Sequence, residues 1–410
     1  MAGKGIPEEL DGIGYLPEPS DHRILSAVDP SISGWQEDFR SKVVGWEPHK
    51  PPLTQAPRGR QNRTIGVWVV LAIFIALFLL LDYQQPITKL TYPDSEWAWE
   101  DSGIRELQNS NLSGQGVNVC IVDTGVDISH PDLQTVQIHF KDFVGTSMTA
   151  VDYGDSNHGT MMVGILVADG HISGAAPNVT LSVAAALQSD TDGENSGDEE
   201  TVAAAIDWCW QEQDADIISL SLGGDAMSGG KSTYSAVERA LAAGTYVIAA
   251  AGNDGGSDDD GYVATPANVP LAIAVGAVNE DGRLWNASSQ GNQQLDSGLR
   301  LSPNEKPEVV APGVEIISTG RDNTYFRSSG TSDATVFVTG ALALILEQHN
   351  ELLPSQSSGS SCIELVKDAL VNSSAHLIGQ VMPHDDGAGY GALDSSAWLA
   401  EISATLPCDQ

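Results

Sequence analysis

A three-layer α/β/α domain with a mostly parallel central sheet, preceded by one transmembrane helix, follows from three observations on this 410-residue chain. Short apolar runs of strand type recur from Gly116 onward, amphipathic helical stretches separate them, and an uncharged run occupies residues 65–81. The strand-type runs are Val117–Val122, Leu181–Ala186, Ile217–Leu222, Tyr246–Ala251 and Ala272–Val278. Between them, Glu199–Gln213 and Ser232–Ala243 place apolar groups at helical spacing, as Val202, Ile206 and Cys209 do. Continuously apolar strands belong to a sheet buried on both faces, because a half-exposed sheet would alternate with polar residues.

The run IGVWVVLAIFIALFLLL from Ile65 to Leu81 carries no charge. Its length meets the lower limit of about 17 residues for a helix crossing a bilayer core. A soluble helix would show polar residues every third or fourth position, and this one shows none. Trp68 near one end of the run and Tyr83 just past the other fit the interfacial aromatic belt. Arg58, Arg60 and Arg63 precede it, whereas Asp82 follows and Lys89 is the one nearby base on that side. The positive-inside bias therefore puts residues 1–64 in the cytoplasm as a largely flexible tail rich in proline and polar groups, and residues 82–410 outside the cell membrane. The 64 residues ahead of the run argue against an ordinary cleaved signal.

Charge is lopsided about that run: the formal net value of -36 divides into -1 for residues 1–64 and -35 for the rest. Such a surface repels phosphate backbones, which excludes nucleic acid as a partner. The acids either attract basic substrates or keep an exposed domain soluble, and composition leaves both open. Hydrophobic content of 41% suits a large globular core. Cys120, Cys209, Cys362 and Cys408 form no CxxC pair and no metal-ligand spacing, so no metal site is assigned. Cys120 and Cys209 read as core, whereas Cys362 and Cys408 would close a disulfide in an oxidising compartment.

Ligands of open α/β sheets gather at the carboxyl ends of strands. Asp123 directly follows Val122, Gly223 follows Leu222, and Asn253 follows Tyr246–Ala251 through Gly252. His158 in SNHGTMMVGIL and Ser332 in SSGTSDATVFVTGALAL each stand at the start of a helical stretch. Singly, these positions are also those of caps and turn formers.

Together the blocks Asp123-Thr124-Gly125, His158-Gly159-Thr160 and Gly330-Thr331-Ser332, in that order, resemble the subtilisin-like serine peptidase family. The resemblance runs from about Trp97 to Trp398 and includes HPDL at 130–133 and GAGYGALD at 387–394. It implies an endopeptidase whose triad is Asp123, His158 and Ser332, with Asn253 as side-chain oxyanion donor. Ser221, Leu222, Gly223 and Gly252 match one wall of the groove in which this family holds an extended protein or peptide substrate. The opposite wall falls to the loop SDTDGENSGDEE at 189–200. Its acids, with Asp254 and Asp258–Asp260, point to basic side chains in the substrate, while a solvated or calcium-binding loop fits the same residues; Asn195 occupies the position that an EF-hand reserves for Gly. No cofactor is required for the chemistry. Asp132 matches a structural calcium ligand of the family, but its partner loop ADGHISGAAP is short.

The departures are local. Met161 follows His158-Gly159-Thr160 where most members carry His, and Asp333-Ala334-Thr335-Val336-Phe337 replaces a Met-Ala-x-Pro-His run. The stretch between Leu81 and Trp97 leaves no room for an inhibitory propeptide domain. Residues 82–96 then form a short tether and 97–410 the peptidase domain. The competing expectation is a catalytically weak or dead homologue that serves as an anchored binding domain.

Overall fold

The computed structural model describes residues 95–406 and 408, apart from 156, 192, 225–230, 257–259, 292–293, 296–297 and 357–359. The expected tail, the expected span at 65–81 and residues 82–94 of the tether lie outside the described residues. Among the described residues no helix is long and apolar enough to cross a membrane.

Two short helices, α1 (Trp97–Asp101) and α2 (Ile104–Asn109), lead into β1 (Asn118–Asp123) and β2 (Ile138–Asp142). Then come α3 (His158–Val167), β3 (Thr180–Ala185), α4 (Glu199–Glu212), β4 (Ile217–Leu220), α5 (Lys231–Ala242), β5 (Tyr246–Ala250) and β6 (Ile273–Val278). β7 (Val309–Pro312), α6 (Thr331–Gln348), α7 (Ser361–Ser373) and α8 (Ser395–Thr405) complete the layers. The seven strands lie in the order β7-β6-β5-β4-β1-β3-β2, and every pairing is parallel.

All five strand-type runs are strands of this sheet. β1 and β3 to β6 are buried along nearly their whole length, as their continuous apolar sequences require. α6 packs against β4 to β7 and against α3, while α4 and α5 pack on each other and against β1, β3, β4 and β5. α6 is the central helix, with every residue from Thr331 to Leu346 buried. A helix that is apolar all round needs such a position, and the sequence of α6 is nearly that.

Cysteine usage matches the expectation at Cys362 and Cys408 and departs from it at Cys120 and Cys209. Cys120 of β1 and Cys209 of α4 are joined as a disulfide, as are Cys362 and Cys408. Both members of the first pair are buried, so burial was legible while pairing across 89 positions was not.

One corner of the core is ionic. Glu308 Oε1 meets Lys306 Nζ at 2.8 Å and Lys367 Nζ at 2.7 Å, with all three side chains at most 1% exposed. Glu308 Oε2 accepts from Ala274 N at 2.7 Å. The ammonium groups also donate to the carbonyls of Ala272 and Pro270, joining the turn before β6 to the segment before β7. Burial pulls both lysines down from their ordinary values, and Glu308 resists that pull. Removing one partner from a buried ion cluster leaves charge uncompensated, which costs about 3–5 kcal/mol. Glu308→Ala is expected to lower the free energy of unfolding by about that amount, read from the shift of the denaturant midpoint in a urea titration.

Candidate active site

Asp123 is the last residue of β1 and is fully buried. His158 is the first residue of α3, and its Nδ1 lies 2.7 Å from Asp123 Oδ1. A carboxylate oxygen accepts, so Nδ1 carries the proton and Nε2 is left to face the cleft. Thr124 N also donates to Asp123 Oδ1 at 2.7 Å, which fixes the carboxylate against its own backbone.

The end of β1 and the start of α3 can meet because of two glycines. A Cβ at Gly159 would lie 2.1 Å from Gly125 O, and one at Gly125 would lie 2.0 Å from Val151 O. Gly125 also has φ of +114°, which a side chain would strain. Asp152 then clamps the junction. Its carboxylate accepts from Thr124 Oγ1 at 2.7 Å, Gly154 N at 2.8 Å, Thr160 N at 2.9 Å and Thr160 Oγ1 at 2.5 Å. Sequence reasoning passed over Asp152, whose signal was the threonine in each of the blocks Asp123-Thr124-Gly125 and His158-Gly159-Thr160.

Ser332 is the second residue of α6, where the helix offers unpaired N–H groups and the positive end of its dipole. Its Oγ donates to Ser221 O at 3.3 Å, and Ser221 Oγ returns a bond to Ser332 O at 3.0 Å. The loop after β4 is thereby pinned to the nucleophile candidate. Asn253 Oδ1 accepts from Thr331 N at 3.0 Å and from Thr331 Oγ1 at 2.9 Å. A backbone N–H can only donate, so Oδ1 must face Thr331 and Nδ2 must face away from it. Thr331 therefore orients the amide of Asn253, a role that the sequence left unread.

His158, Ser221, Leu222, Gly223, Gly252, Asn253 and Ser332 all line one cleft of about 610 Å³. Asp123 sits behind His158. Glu194, Asn195, Ser196, Gly197 and Glu199, from the loop 189–200, line the same cleft. That loop carries a short hairpin of Gln188–Ser189 with Asn195–Ser196. Gly223, Gly224, Gly252 and Asn253 also line an adjoining hollow of about 420 Å³ that contains Asp254, Asp260 and Tyr262. Asp258 and Asp259 lie outside the described residues.

Asp132, at the position that matches a calcium ligand of the family, is engaged in hydrogen bonds within the protein. Its buried carboxylate accepts from His171 N, Ile172 N and Tyr325 Oη at 3.0, 2.8 and 3.1 Å. Two of these donors come from the short loop after α3. Among the described residues no group of three or more His, Cys, Asp or Glu is placed to hold a metal ion.

Burial works against a charge on His158, but the Asp123 carboxylate overcomes it by attraction and hydrogen bonding, and Asp333 and Asp152 add to it, so the ring is pushed up to about 9. The ring proton is thus held through neutral pH and lost as pH rises through that value. An NMR titration of the His158 ring is expected to give a midpoint near 9. In Asp123→Asn, which removes the larger attraction and leaves the burial, the midpoint is expected to fall by more than one unit.

The comparisons with known proteins agree with this geometry. The family model of the subtilases matches residues 114–392. Subtilisin DY of Bacillus licheniformis is 36% identical over 254 residues, covering 61% of this chain and 84% of that protein. Subtilisin E of Bacillus subtilis is 36% identical over 246 residues, and the chain spans 58% of its length. Serine protease AprX of Bacillus subtilis is 33% identical over 294 residues, with 63% of this chain and 64% of AprX covered. Among solved structures, the prenylagaramide maturation protease PagA superposes with a TM-score of 0.57 at 23% identity, covering 74% of this chain and 99% of that one, a likeness of fold alone. A parallel sheet that brings these three sequence blocks to one cleft, and a family match over the same residues, have one reading: the chain belongs to the subtilase family of serine peptidases.

Proposed function

We propose that the chain is a serine endopeptidase with Asp123, His158 and Ser332 as its catalytic triad. The observation that carries this reading is the 2.7 Å bond between Asp123 and His158 at the back of the cleft that Ser332 and Asn253 line. Ser332 Oγ attacks the scissile carbonyl carbon while His158 Nε2 takes the hydroxyl proton. Asp123 holds Nδ1–H and stabilises the imidazolium that forms. Oxygen of the broken C=O double bond becomes an oxyanion, to which Ser332 N–H and Asn253 Nδ2 donate. Collapse expels the amine with the proton from His158, and water then hydrolyses the acyl-enzyme by the same route. No cofactor enters these steps.

An extended peptide fits between the Ser221–Gly223 segment and the Asn195–Gly197 segment, where main-chain hydrogen bonds supply affinity. Glu194 and Glu199 on one side, with Asp254 and Asp260 in the adjoining hollow, favour Arg and Lys near the cut. The uncharged run at 65–81 anchors the domain outside the cell membrane, with substrates among extracytoplasmic proteins.

A second reading, a catalytically weak homologue that binds rather than cuts, draws on two features of the resting site. Ser332 Oγ donates to Ser221 O, and His158 holds its proton at neutral pH, so the resting site is not poised to react.

Labelling of the full chain with a fluorophosphonate separates the two. The peptidase predicts a covalent adduct that is lost in Ser332→Ala, and an unlabelled folded protein favours the binding domain. Asn253→Ala is expected to lower kcat by about 10²–10³ with little change in KM. Cleavage of a peptide library tests the side-chain preference, which fails if Arg and Lys are not enriched beside the cut. Retention of the full chain in alkali-washed membranes, with release of a chain starting at residue 82, tests the anchor.

A further inference from the structure

Asp333, next to the proposed nucleophile, has no part in the steps above, yet it is buried against the same groups. It is the third residue of α6, 1% exposed, and its Oδ1 accepts a hydrogen bond from the hydroxyl of Ser328. A Cβ built at Gly330 would lie 3.5 Å from Asp333 Oδ2, 3.6 Å from Asn253 Nδ2 and 3.6 Å from Ser332 N. The carboxylate and both oxyanion donors therefore border one small volume. Like charges so placed, with little water between them, repel far more strongly than on a surface.

The groups facing His158 come from three elements: Asp123 from β1, Asp152 from the loop before α3, and Asp333 from α6. Basic groups are engaged elsewhere. Arg321 donates to Asp155 O and Arg327 to Glu315, both from exposed positions. The start of α6 adds the positive end of its dipole to Asp333.

We propose that Asp333 is a positioning residue beside the oxyanion donors: while ionised it repels the oxyanion and adds to the Asp123 field that keeps the His158 ring protonated, a built-in brake on acylation of Ser332. The inference rests on the peptidase reading. The proton balance gives the brake its effect, because the Ser332 proton must go to Nε2 and a ring already protonated cannot take it. The free base falls tenfold for each pH unit below its pKa. Burial pushes the Asp333 carboxyl up to about 6, against the Ser328 hydrogen bond and the attraction of His158, so the charge is in place at neutral pH. Ser328 is the handle on that charge.

The test compares the full chain with Asp333→Asn and Ser328→Ala, using three readouts across pH: fluorophosphonate acylation rate, kcat/KM on a peptide, and the NMR titration of the His158 ring. Asp333→Asn is expected to move the acidic limb and the ring titration about one unit lower and to raise acylation at pH 7 about tenfold. Ser328→Ala, which removes a donor from the ionised form, is expected to move both the same way by less. Coincident profiles for wild type and Asp333→Asn, or a slower Asp333→Asn at pH 7, overturn the brake. If Asp333→Asn does not fold, an unmoved Ser328→Ala profile overturns it. Acylation with an unmoved limb refutes the brake alone. A ring titration that shifts without any acylation at any pH refutes the peptidase reading and leaves the charge coupling standing.

Discussion

The four hydrogen bonds that converge on Asp152 hold the rest of the site in register, although this carboxylate does not reach the cleft. The Asp123 to His158 contact spans two elements, the end of a strand and the start of a helix, whose backbones repel unless something fixes their approach. Two glycines permit that approach, and Asp152 enforces it with four donors, of which two are threonine hydroxyls. Bonds to a charged acceptor are about twice as strong as neutral ones and are coupled to one another. A small slackening here would be felt as a change in the orientation of the imidazole, which catalysis by a general base does not tolerate.

A second clamp, Thr331 on the Asn253 amide, works the same way at the other side of the cleft. The threonines of all three sequence blocks thus position the residues beside them. This explains how much of the site was legible. Asp123, His158, Ser332 and Asn253 stood at strand or helix ends inside short blocks, so the chain announced them. Asp152 stood in the loop AVDYGD with no pattern around it, and its partners are fixed only in three dimensions. The sheet shows a similar division. Central strands were readable as unbroken apolar runs, whereas β2, IHFKD, alternates with polar groups at one edge and β7 is four residues closed by Pro312 at the other. The hydrogen bond that Asp132 accepts from Tyr325, 193 positions away, was not legible in the sequence.

The acidity of this chain has a local meaning that its net charge conceals. Most of the carboxylates are solvated and interchangeable. A few are not: the charges of Asp123, Asp333 and Asp152, from three elements, all act on one imidazole. Burial makes the charges of Asp123 and Asp333 count for more than exposed ones. The charge at position 333 therefore bears on His158 in a way that the total of -36 does not show.

The disulfide between Cys120 and Cys209 closes a covalent ring whose ends are 89 positions apart, and that ring contains Asp123, Asp152 and His158 but neither Asn253 nor Ser332. An unfolding event that peels α6 from the sheet leaves the acid and the base tied within a restricted loop, while the nucleophile leaves with the helix. Oxidised chains that are only partly assembled are in that sense unarmed. Packing of α6 against β4 to β7 is also what brings the Ser332 hydroxyl to the cleft, so completion of the core and assembly of the cleft coincide.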